Sequence, residues 1–359
     1  MEQLENIAGM LDLMVRPAFC VKDGFITAAN QGAKSRLIDM NTPIRELLLT
    51  GQEEYSEFMG GCLYLTLDLG GHHIGASVTK QQEYDIFILE QDADQAELHA
   101  MALAAQELRE PLASVMTVAD RLFPVVSEEI GTQDQIARIN RGLFQMLRVI
   151  SNMSDAARYQ EESERVLEIR DVTAILEELF RNSAALIGQT DIQVTFRNLP
   201  QKILTLVDTE KLERAVYNIL SNAMKFTPRG GTIEATLTQR GKMLYLTVQD
   251  SGSGVDPAVR SNIHSRYLRQ PGVEDGRFGI GLGMVLIRAA AAAHGGTVLM
   301  EHPEGRGARI TMTMEIRQDT AGRLRSNILQ VDYAGERDHS LIELADALPA
   351  VLYKKENIN

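Results

Sequence analysis

The sequence lacks a long apolar run and an excess of positive charge. No stretch of its 359 residues approaches the roughly 18 consecutive apolar residues that cross a bilayer. The opening residues, MEQLENIAGMLDLMV, are acidic where a secretory leader would be basic. We therefore expect no membrane span and a cytoplasmic location, where the two cysteines, Cys20 and Cys62, stay reduced.

The charge balance argues against a nucleic-acid partner. A net charge of −13 at pH 7 repels phosphate backbones. With 44% hydrophobic and 24% charged residues, the composition is that of a soluble protein, and the length suits two or three folded domains.

Three polar stretches predict where the chain divides. They are QDADQAE (91–97), YQEESER (159–165) and RQDTAGRLR (317–325). We expect a multidomain α+β protein with segments at 1–92, 95–160, 164–318 and 319–359. The last segment has no assigned role. It contains a predicted helix with a capping box from Ser340 to Glu343, preceded by Asp338 and His339 as a solvated helix start.

The first segment combines short alternating runs with turns at Asp23-Gly24 and Gly70-Gly71, which predicts a small sheet with helices. The stretches FCVKDGFITAAN and DIFILEQD resemble a PAS sensor domain. That resemblance implies an α/β fold with a central pocket. Cys20, His72 and His73 form no ligand pattern, so we interpret them as a core cysteine and two turn histidines.

The second segment carries a heptad seam on two predicted helices separated by PVVSEEIGTQ. Two helices joined by a short loop form an antiparallel hairpin, and pairing with a second copy would cover the rest of the seam. We therefore expect a homodimer with a four-helix bundle. The seam residues are Leu98, Met101, Ala105, Leu108, Leu112, Val115, Ala119 and Leu122, then Ile136, Ile139, Leu143, Met146, Ile150, Met153 and Ala157.

Within the first helix, Pro111 cannot donate a hydrogen bond to the carbonyl of Glu107, so a bend is expected there. The surrounding QELREPL resembles the H-box of histidine kinases. In that family a histidine accepts the phosphoryl group, and the adjacent acid is its general base. Here Glu107 supplies the acid, but Gln106 occupies the acceptor position, and a carboxamide is not a useful nucleophile. Glu110 stands where many relatives have Thr or Asn for dephosphorylation, which puts that reaction in doubt as well.

Three motifs of the third segment predict a nucleotide site. Asp208 is a plausible N-cap for a helix that aligns Asn218, Asn222 and Lys225 on one face, a set suited to a magnesium-bound triphosphate. Asp250, followed by Gly252 and Gly254, ends an alternating strand where a carboxylate can accept from an amino group on a flat base. The third motif offers backbone N–H groups to phosphate at a helix start and consists of Gly279, Gly281 and Gly283. A Rossmann interpretation of GIGLG is weak because the G-x-G-x-x-G spacing is absent.

In this order the three motifs resemble the GHKL-type ATP-binding domain shared by histidine kinases, gyrases, certain chaperones and mismatch-repair ATPases. The resemblance implies an α/β sandwich that binds ATP and Mg²⁺. It implies that Asp250 contacts the adenine amine, that Asn218 ligates magnesium, and that Asn222 and Lys225 contact the phosphates. The loop 255–278 would act as a lid, although His264 and Tyr267 stand where kinases usually show phenylalanines. Hydrolysing relatives place a glutamate where this chain has Arg214, which disfavours ATP hydrolysis.

Three hypotheses remain open from the sequence. The chain is a sensor kinase by architecture that has become a nucleotide-binding scaffold, or it is an active histidine kinase that uses another acceptor. That acceptor would be His99 or a histidine on a partner such as a response regulator or a partner kinase. The third alternative is that Gln106, natural or engineered, is a substitution in an otherwise active kinase.

Overall fold

The computed structural model describes residues 2–36, 38–90, 92–126, 130–158, 167–254, 282–303, 307–317 and 338–354. No helix in these ranges is long and apolar enough to cross a membrane. The helices are α1 Glu2–Asp12, α2 Gln31–Lys34, α3 Gln52–Ser56, α4 Asp92–Val126, α5 Ile130–Arg158, α6 Val172–Ile187, α7 Thr209–Phe226, α8 Leu282–Ala293 and α9 His339–Glu343. The strands are β1 Ala18–Lys22, β2 Phe25–Ala29, β3 Cys62–Leu69, β4 His72–Gln81, β5 Tyr84–Leu89, β6 Glu168–Asp171, β7 Gln193–Arg197, β8 Leu204–Val207, β9 Thr232–Arg240, β10 Met243–Asp250, β11 Val298–Glu301 and β12 Arg309–Glu315.

The N-terminal segment folds as the predicted small sheet with helices. Strands β1 to β5 pair in the antiparallel order β2-β1-β5-β4-β3. Asn30, which follows β2, is 4% exposed, and its amide nitrogen donates to the carbonyls of Leu11, Met14 and Arg16. One polar side chain thereby fixes the end of α1 against the sheet, because each carbonyl would otherwise lose a partner.

Helices α4 and α5 form the predicted hairpin, and its seam is divided between two environments. Ala105, Leu112 and Ala119 of α4 are buried, whereas Leu108 and Val115, at intervening seam positions, are about half exposed. The hairpin therefore covers one side of the seam and leaves the other side open.

In the third segment, α7 and α8 pack on a sheet. Strands β9, β10 and β12 are antiparallel neighbours, and β7 pairs with β9 in parallel. The alternating burial along β10 shows that this sheet has a covered face, as the pattern MLYLTVQD predicts. The mixed α/β architecture agrees with the predicted fold class for this part of the chain.

One continuous ten-stranded sheet joins the N-terminal segment to the third segment, a feature that the sequence did not indicate. Strand β11 pairs with β12 on one side and with β3 on the other, in antiparallel register. Cys62 lies opposite Met300, and Tyr64 lies opposite Val298. Beside this junction, the Arg288 guanidinium lies 4.4 Å from the centre of the Tyr64 ring and pairs with Glu90.

Several local predictions need correction. His72 and His73 begin strand β4 and are not turn residues. The break predicted at PVVSEEIGTQ is shorter than expected, because α4 continues through Pro124 to Val126 and α5 begins at Ile130. Helix α9 is capped by Asp338, whose carboxylate accepts from the Ser340 amide at 2.8 Å, so the predicted capping box from Ser340 is wrong.

The pairing of β3 with β11 requires a glycine at position 61. Its φ is +90°, and a Cβ added there would lie 2.2 Å from the carbonyl oxygen of Met300. We expect Gly61→Ala to lower the free energy of unfolding by about 1–2 kcal/mol for the left-handed backbone, with a further loss from the clash. Hydrogen exchange of the β11 amides should speed up because β11 is pushed away from β3.

Gly71 provides the matched control. Its φ is +89°, but a Cβ added there meets nothing within 4 Å. Gly71→Ala should therefore show the backbone cost alone, with β11 exchange unchanged. Equal stability losses and equal β11 exchange in the two variants would show that the β3–β11 pairing does not form in solution.

Candidate functional site

The candidate site is built on helix α7, which has the polar face and the apolar face that the sequence predicts. Asp208 caps it as predicted, with its carboxylate accepting from the Lys211 amide at 3.1 Å. The apolar residues predicted to face away from the polar set are all buried, namely Leu212, Ala215, Val216, Ile219 and Ala223. Burying this face fixes which way the polar face points.

A buried histidine sets α7 relative to α8. The Asp208 amide donates to Nε2 of His294 at 3.0 Å, so the proton is on Nδ1, which donates to the carbonyl of Ala290 at 2.7 Å. Burial lowers the pKa of His294 below its ordinary value, and the bond to Ala290 opposes that shift. The neutral ring therefore links the start of α7 to the last turn of α8.

Asn218 of α7 lies beside the first turn of α8. It is 2% exposed, and its amide nitrogen donates to the carbonyl of Arg214 at 2.8 Å. A Cβ added to Gly283, in the first turn of α8, would lie 2.9 Å from the Oδ1 atom of Asn218. Only a residue without a side chain lets the helix start approach this oxygen so closely.

The turn that follows Asp250 lies at the C-terminal end of α7, away from the Asp208 cap. Oδ1 of Asp250 accepts from the amides of Gly252 at 2.8 Å and Ala308 at 3.2 Å. A Cβ on Gly252 would lie 2.3 Å from the carbonyl oxygen of Phe226, so the turn sits against the end of α7. Burial raises the pKa of Asp250, and these two amide bonds oppose the shift. Both of these bonds use Oδ1, and neither uses Oδ2.

The structure therefore brings together most of the predicted nucleotide-site residues. Asn218, Asn222 and Lys225 lie on α7, Gly283 adjoins Asn218, and the Asp250 turn adjoins the end of the same helix. Gly254 follows this turn with a φ of +74°. The predicted lid 255–278, with His264 and Tyr267, lies outside the described residues, as do Gly279 and Gly281.

Two cations at this site share one carboxylate that sequence reasoning missed. Oδ2 of Asp346 accepts from Arg148 of α5 at 2.7 Å and from Lys225 at 3.1 Å. Burial lowers the pKa of Lys225, and Asp346 opposes that shift. Burial also disfavours ionisation of Asp346, but the charges of Arg148 and Lys225 outweigh it and lower its pKa. The pKa of Asp346 falls because two cations act on its one carboxylate, whereas the pKa of Lys225 falls because a single carboxylate does not offset its burial.

Arg148 reaches further along α7. Its guanidinium donates to Ser221 Oγ at 3.0 Å and to Asn218 Oδ1 at 3.3 Å, and its side chain is 3% exposed. Asp346 and Arg148 are separated by 198 positions in the sequence, so no local pattern could have paired them.

A second charge cluster surrounds Arg214, one turn before Asn218. Arg214 pairs with Asp155 of α5 at 2.6 Å and with Glu343 of α9, and all three side chains are nearly buried. Burial raises the pKa of Asp155, and the Arg214 charge opposes the shift. Arg214 thereby joins the three helices α5, α7 and α9.

The H-box residues lie on another surface. Gln106 and Glu107 are exposed on α4, which runs through Pro111 as one continuous helix. Among the described residues, no hydrogen bond joins either side chain to α7. Glu110 is exposed too, and His99 lies on the same helix with an exposed side chain.

The described residues hold no cluster of three or more His, Cys, Asp or Glu suited to a metal ion. Cys20 and Cys62 are both buried free thiols, in agreement with the interpretation of Cys20 as a core residue.

Comparisons with known proteins agree with the site geometry. Residues 207–318 match the family of histidine kinase-, DNA gyrase B-, and HSP90-like ATPases. The chain is 29% identical over 239 residues to histidine protein kinase DivJ of Caulobacter vibrioides, covering 62% of this chain and 40% of DivJ. It is 26% identical over 239 residues to sensor histidine kinase WalK of Bacillus subtilis, covering 63% of this chain and 38% of WalK. The chain thus spans about two fifths of the length of these relatives.

A solved structure shows the same fold over much of the chain. Full-length ShkA in complex with AMPPNP aligns with a TM-score of 0.50 and 22% identity, covering 63% of this chain and 47% of ShkA. Residues 207–318 thus match the histidine kinase-, DNA gyrase B-, and HSP90-like ATPase family, and over about three fifths of its length the chain is similar to sensor histidine kinases.

Proposed function

We propose that this chain is a cytoplasmic signalling protein that binds Mg-ATP and has lost phosphoryl transfer at the usual histidine. One observation carries the proposal. The nucleotide motifs converge on α7, whereas the acceptor position of the H-box holds an exposed carboxamide, Gln106. In this scheme the PAS-like segment 1–92 receives the signal, the hairpin 95–160 dimerises, and segment 164–318 binds the nucleotide.

The site residues fit a nucleotide by their chemistry. Oδ2 of Asp250 would accept a hydrogen bond from an adenine amine. Asn218 offers an amide oxygen to Mg²⁺, and Asn222 and Lys225 supply a polar group and a charge for phosphates. Magnesium, when bound, would neutralise phosphate charge.

The open side of the hairpin supports a homodimer. Leu108, Pro111, Val115 and Met146 line an apolar groove of about 470 Å³ between α4 and α5, and further half-exposed apolar residues extend it along both helices. A surface of this kind is stabilised by covering it with another apolar face. A second copy supplies the same face in the arrangement expected of a four-helix bundle.

An active kinase with another acceptor is the second candidate. Leu98 of α4 belongs to the same buried cluster as Leu282, Val285 and Leu286 at the start of α8. The phosphate-binding end of α8 therefore packs close to the residue that precedes His99. A response regulator or a partner kinase would then receive the phosphoryl group.

Asparagine at position 250 tests the adenine contact. Asp250→Asn keeps an oxygen for the amides of Gly252 and Ala308 but turns an NH₂ group toward the adenine amine. The loss of one charged hydrogen bond, about 1.5–3 kcal/mol, should weaken ATP binding about 10- to 100-fold in calorimetry. Inosine triphosphate, whose 6-oxo group accepts, should lose less affinity or gain it. Unchanged ATP affinity in a normally folded variant would place the base elsewhere.

A charge on the groove tests the dimer. Val115→Asp should convert a dimer to a monomer in sedimentation at micromolar concentration, because each buried unpaired carboxylate costs on the order of 3 kcal/mol or more. Thr117→Asp is the control, since Thr117 is exposed on another face of α4. A monomeric parent protein, or equal effects of the two charges, would contradict the bundle.

Restoring the imidazole tests the lost reaction. In Gln106→His, the ring nitrogen can form a P–N bond to the γ-phosphorus as the bond to the ADP oxygen breaks, while Glu107 accepts the ring proton. We expect acid-labile, base-stable label from radioactive ATP in this variant and none in the parent. Adding Glu107→Gln should slow labelling by about 10²- to 10⁴-fold.

Two outcomes separate the alternatives. Labelling of the parent as strongly as the variant, removed by His99→Gln, would establish the active-kinase alternative. If Gln106→His binds ATP but acquires no label, phosphoryl transfer has been lost at more than one position. His264 and Tyr267 of the predicted lid would then be the next positions to test.

A further inference from the structure

The C-terminal residues 338–354, here called the tail segment, are firmly packed against the site helices. Leu341, Ile342, Leu344 and Leu348 are each at most 3% exposed within the cluster that contains the α5 and α7 cores. Tyr353 is fully buried, and its ring meets that of Phe144 of α5 edge-on at 5.2 Å. Burial of these five apolar side chains holds the tail segment in a defined position.

Polar contacts fix the register of the tail segment. The Asn140 amide donates to the Tyr353 carbonyl at 3.1 Å, and Arg141 donates to the carbonyls of Ala345 and Asp346. These bonds come from α5 and hold the backbone at the residue whose carboxylate reaches the site. The position of Asp346 is therefore set by hydrogen bonds to its backbone as well as by the ion pairs of its carboxylate.

The contact made by Asp346 has the form of a phosphate contact. One oxygen bridges the Lys225 ammonium at 3.1 Å and the Arg148 guanidinium at 2.7 Å. Lysine and arginine bind a phosphate oxygen through the same charge-assisted bonds. Arg148 also donates to Asn218 Oδ1 at 3.3 Å, which places a cation where a divalent ion would bind. Asp346 and a phosphate are both anions, so the docked tail opposes phosphate at these cations, and the Arg148 guanidinium opposes a divalent cation at Asn218 because like charges repel.

The adenine end of the site is untouched by these contacts. The two bonds of the Asp250 carboxylate come from Gly252 and Ala308, neither of which belongs to the tail segment. The tail segment thus covers one end of the site, the end at which charge is bound.

We propose that the tail segment is an internal competitor of nucleotide, with Asp346 occupying the place of a phosphate oxygen on Lys225 and Arg148. This inference rests on the proposed nucleotide binding and deepens it. ATP binding then requires Asp346 to leave the two cations. Once it leaves, Arg148 becomes an additional phosphate ligand contributed by the hairpin.

Calorimetry on the full chain with ATP and magnesium tests the competition. Asp346→Asn removes the charge at nearly constant volume and should tighten ATP binding about 10-fold or more, the worth of one charge-assisted bond. Asp338→Asn is the matched control: it removes one negative charge from the same segment and preserves an N-cap residue. Its ATP affinity should equal that of the parent.

Hydrogen exchange of the unmodified protein supplies an independent measurement. Saturating ATP should speed exchange of the amides in residues 338–354, because the nucleotide displaces the segment. Faster exchange with ATP and tighter binding by Asp346→Asn support the inference. Weaker or unchanged ATP binding by Asp346→Asn, or unchanged tail exchange in ATP-saturated protein, overturns it while leaving nucleotide binding intact. Absence of ATP binding in the parent and in both variants overturns the proposed function together with the inference.

Discussion

The arrangement of the site depends on one constraint: helix α7 must bury a polar face as well as an apolar one. Isolated charges cannot be moved into a protein interior without a large desolvation cost. Arg214 and Lys225 therefore need anionic partners. Asp155 comes from the hairpin, and Glu343 and Asp346 come from the tail segment. The hairpin, the third segment and the tail segment cannot separate without leaving some of these charges unpaired.

The same constraint makes the site convertible between two states. A phosphate carries the charge that Asp346 supplies, so the cations can exchange one anion for the other without being left unpaired. Arg214 offers no such exchange, because Asp155 and Glu343 both lie outside the predicted nucleotide set. The cluster at Arg214 thus serves to hold α5, α7 and α9 together, whereas the cluster at Lys225 lies at a predicted ligand position.

The sequence predicted those features that are set by neighbouring residues. Asp208 was recognised as a cap and the two faces of α7 were assigned correctly, because both follow from spacing within one helix. The predicted hairpin formed for the same reason. The cap of α9 was misassigned because Asp338 and Ser340 both suit an N-cap, and only the backbone geometry decides between them. The pairing of β3 with β11, and of Asp346 with Arg148, depends on surfaces that meet only after folding, and nothing in the local sequence records either contact.

The two helices of the hairpin face different surroundings. Helix α4 presents Gln106 and Glu107 to solvent, while α5 sends Arg148 to the α7 site. At the other side of the third segment, Arg288 of α8 joins Glu90, the residue that follows β5. The N-terminal sheet therefore contacts the third segment through β11 and this ion pair, and the hairpin contacts Asn218 through Arg148. Both sets of contacts reach α7, α8 or the strand that follows α8, and α7 and α8 carry the predicted phosphate-binding residues. Neither set of contacts involves the side chain of Gln106.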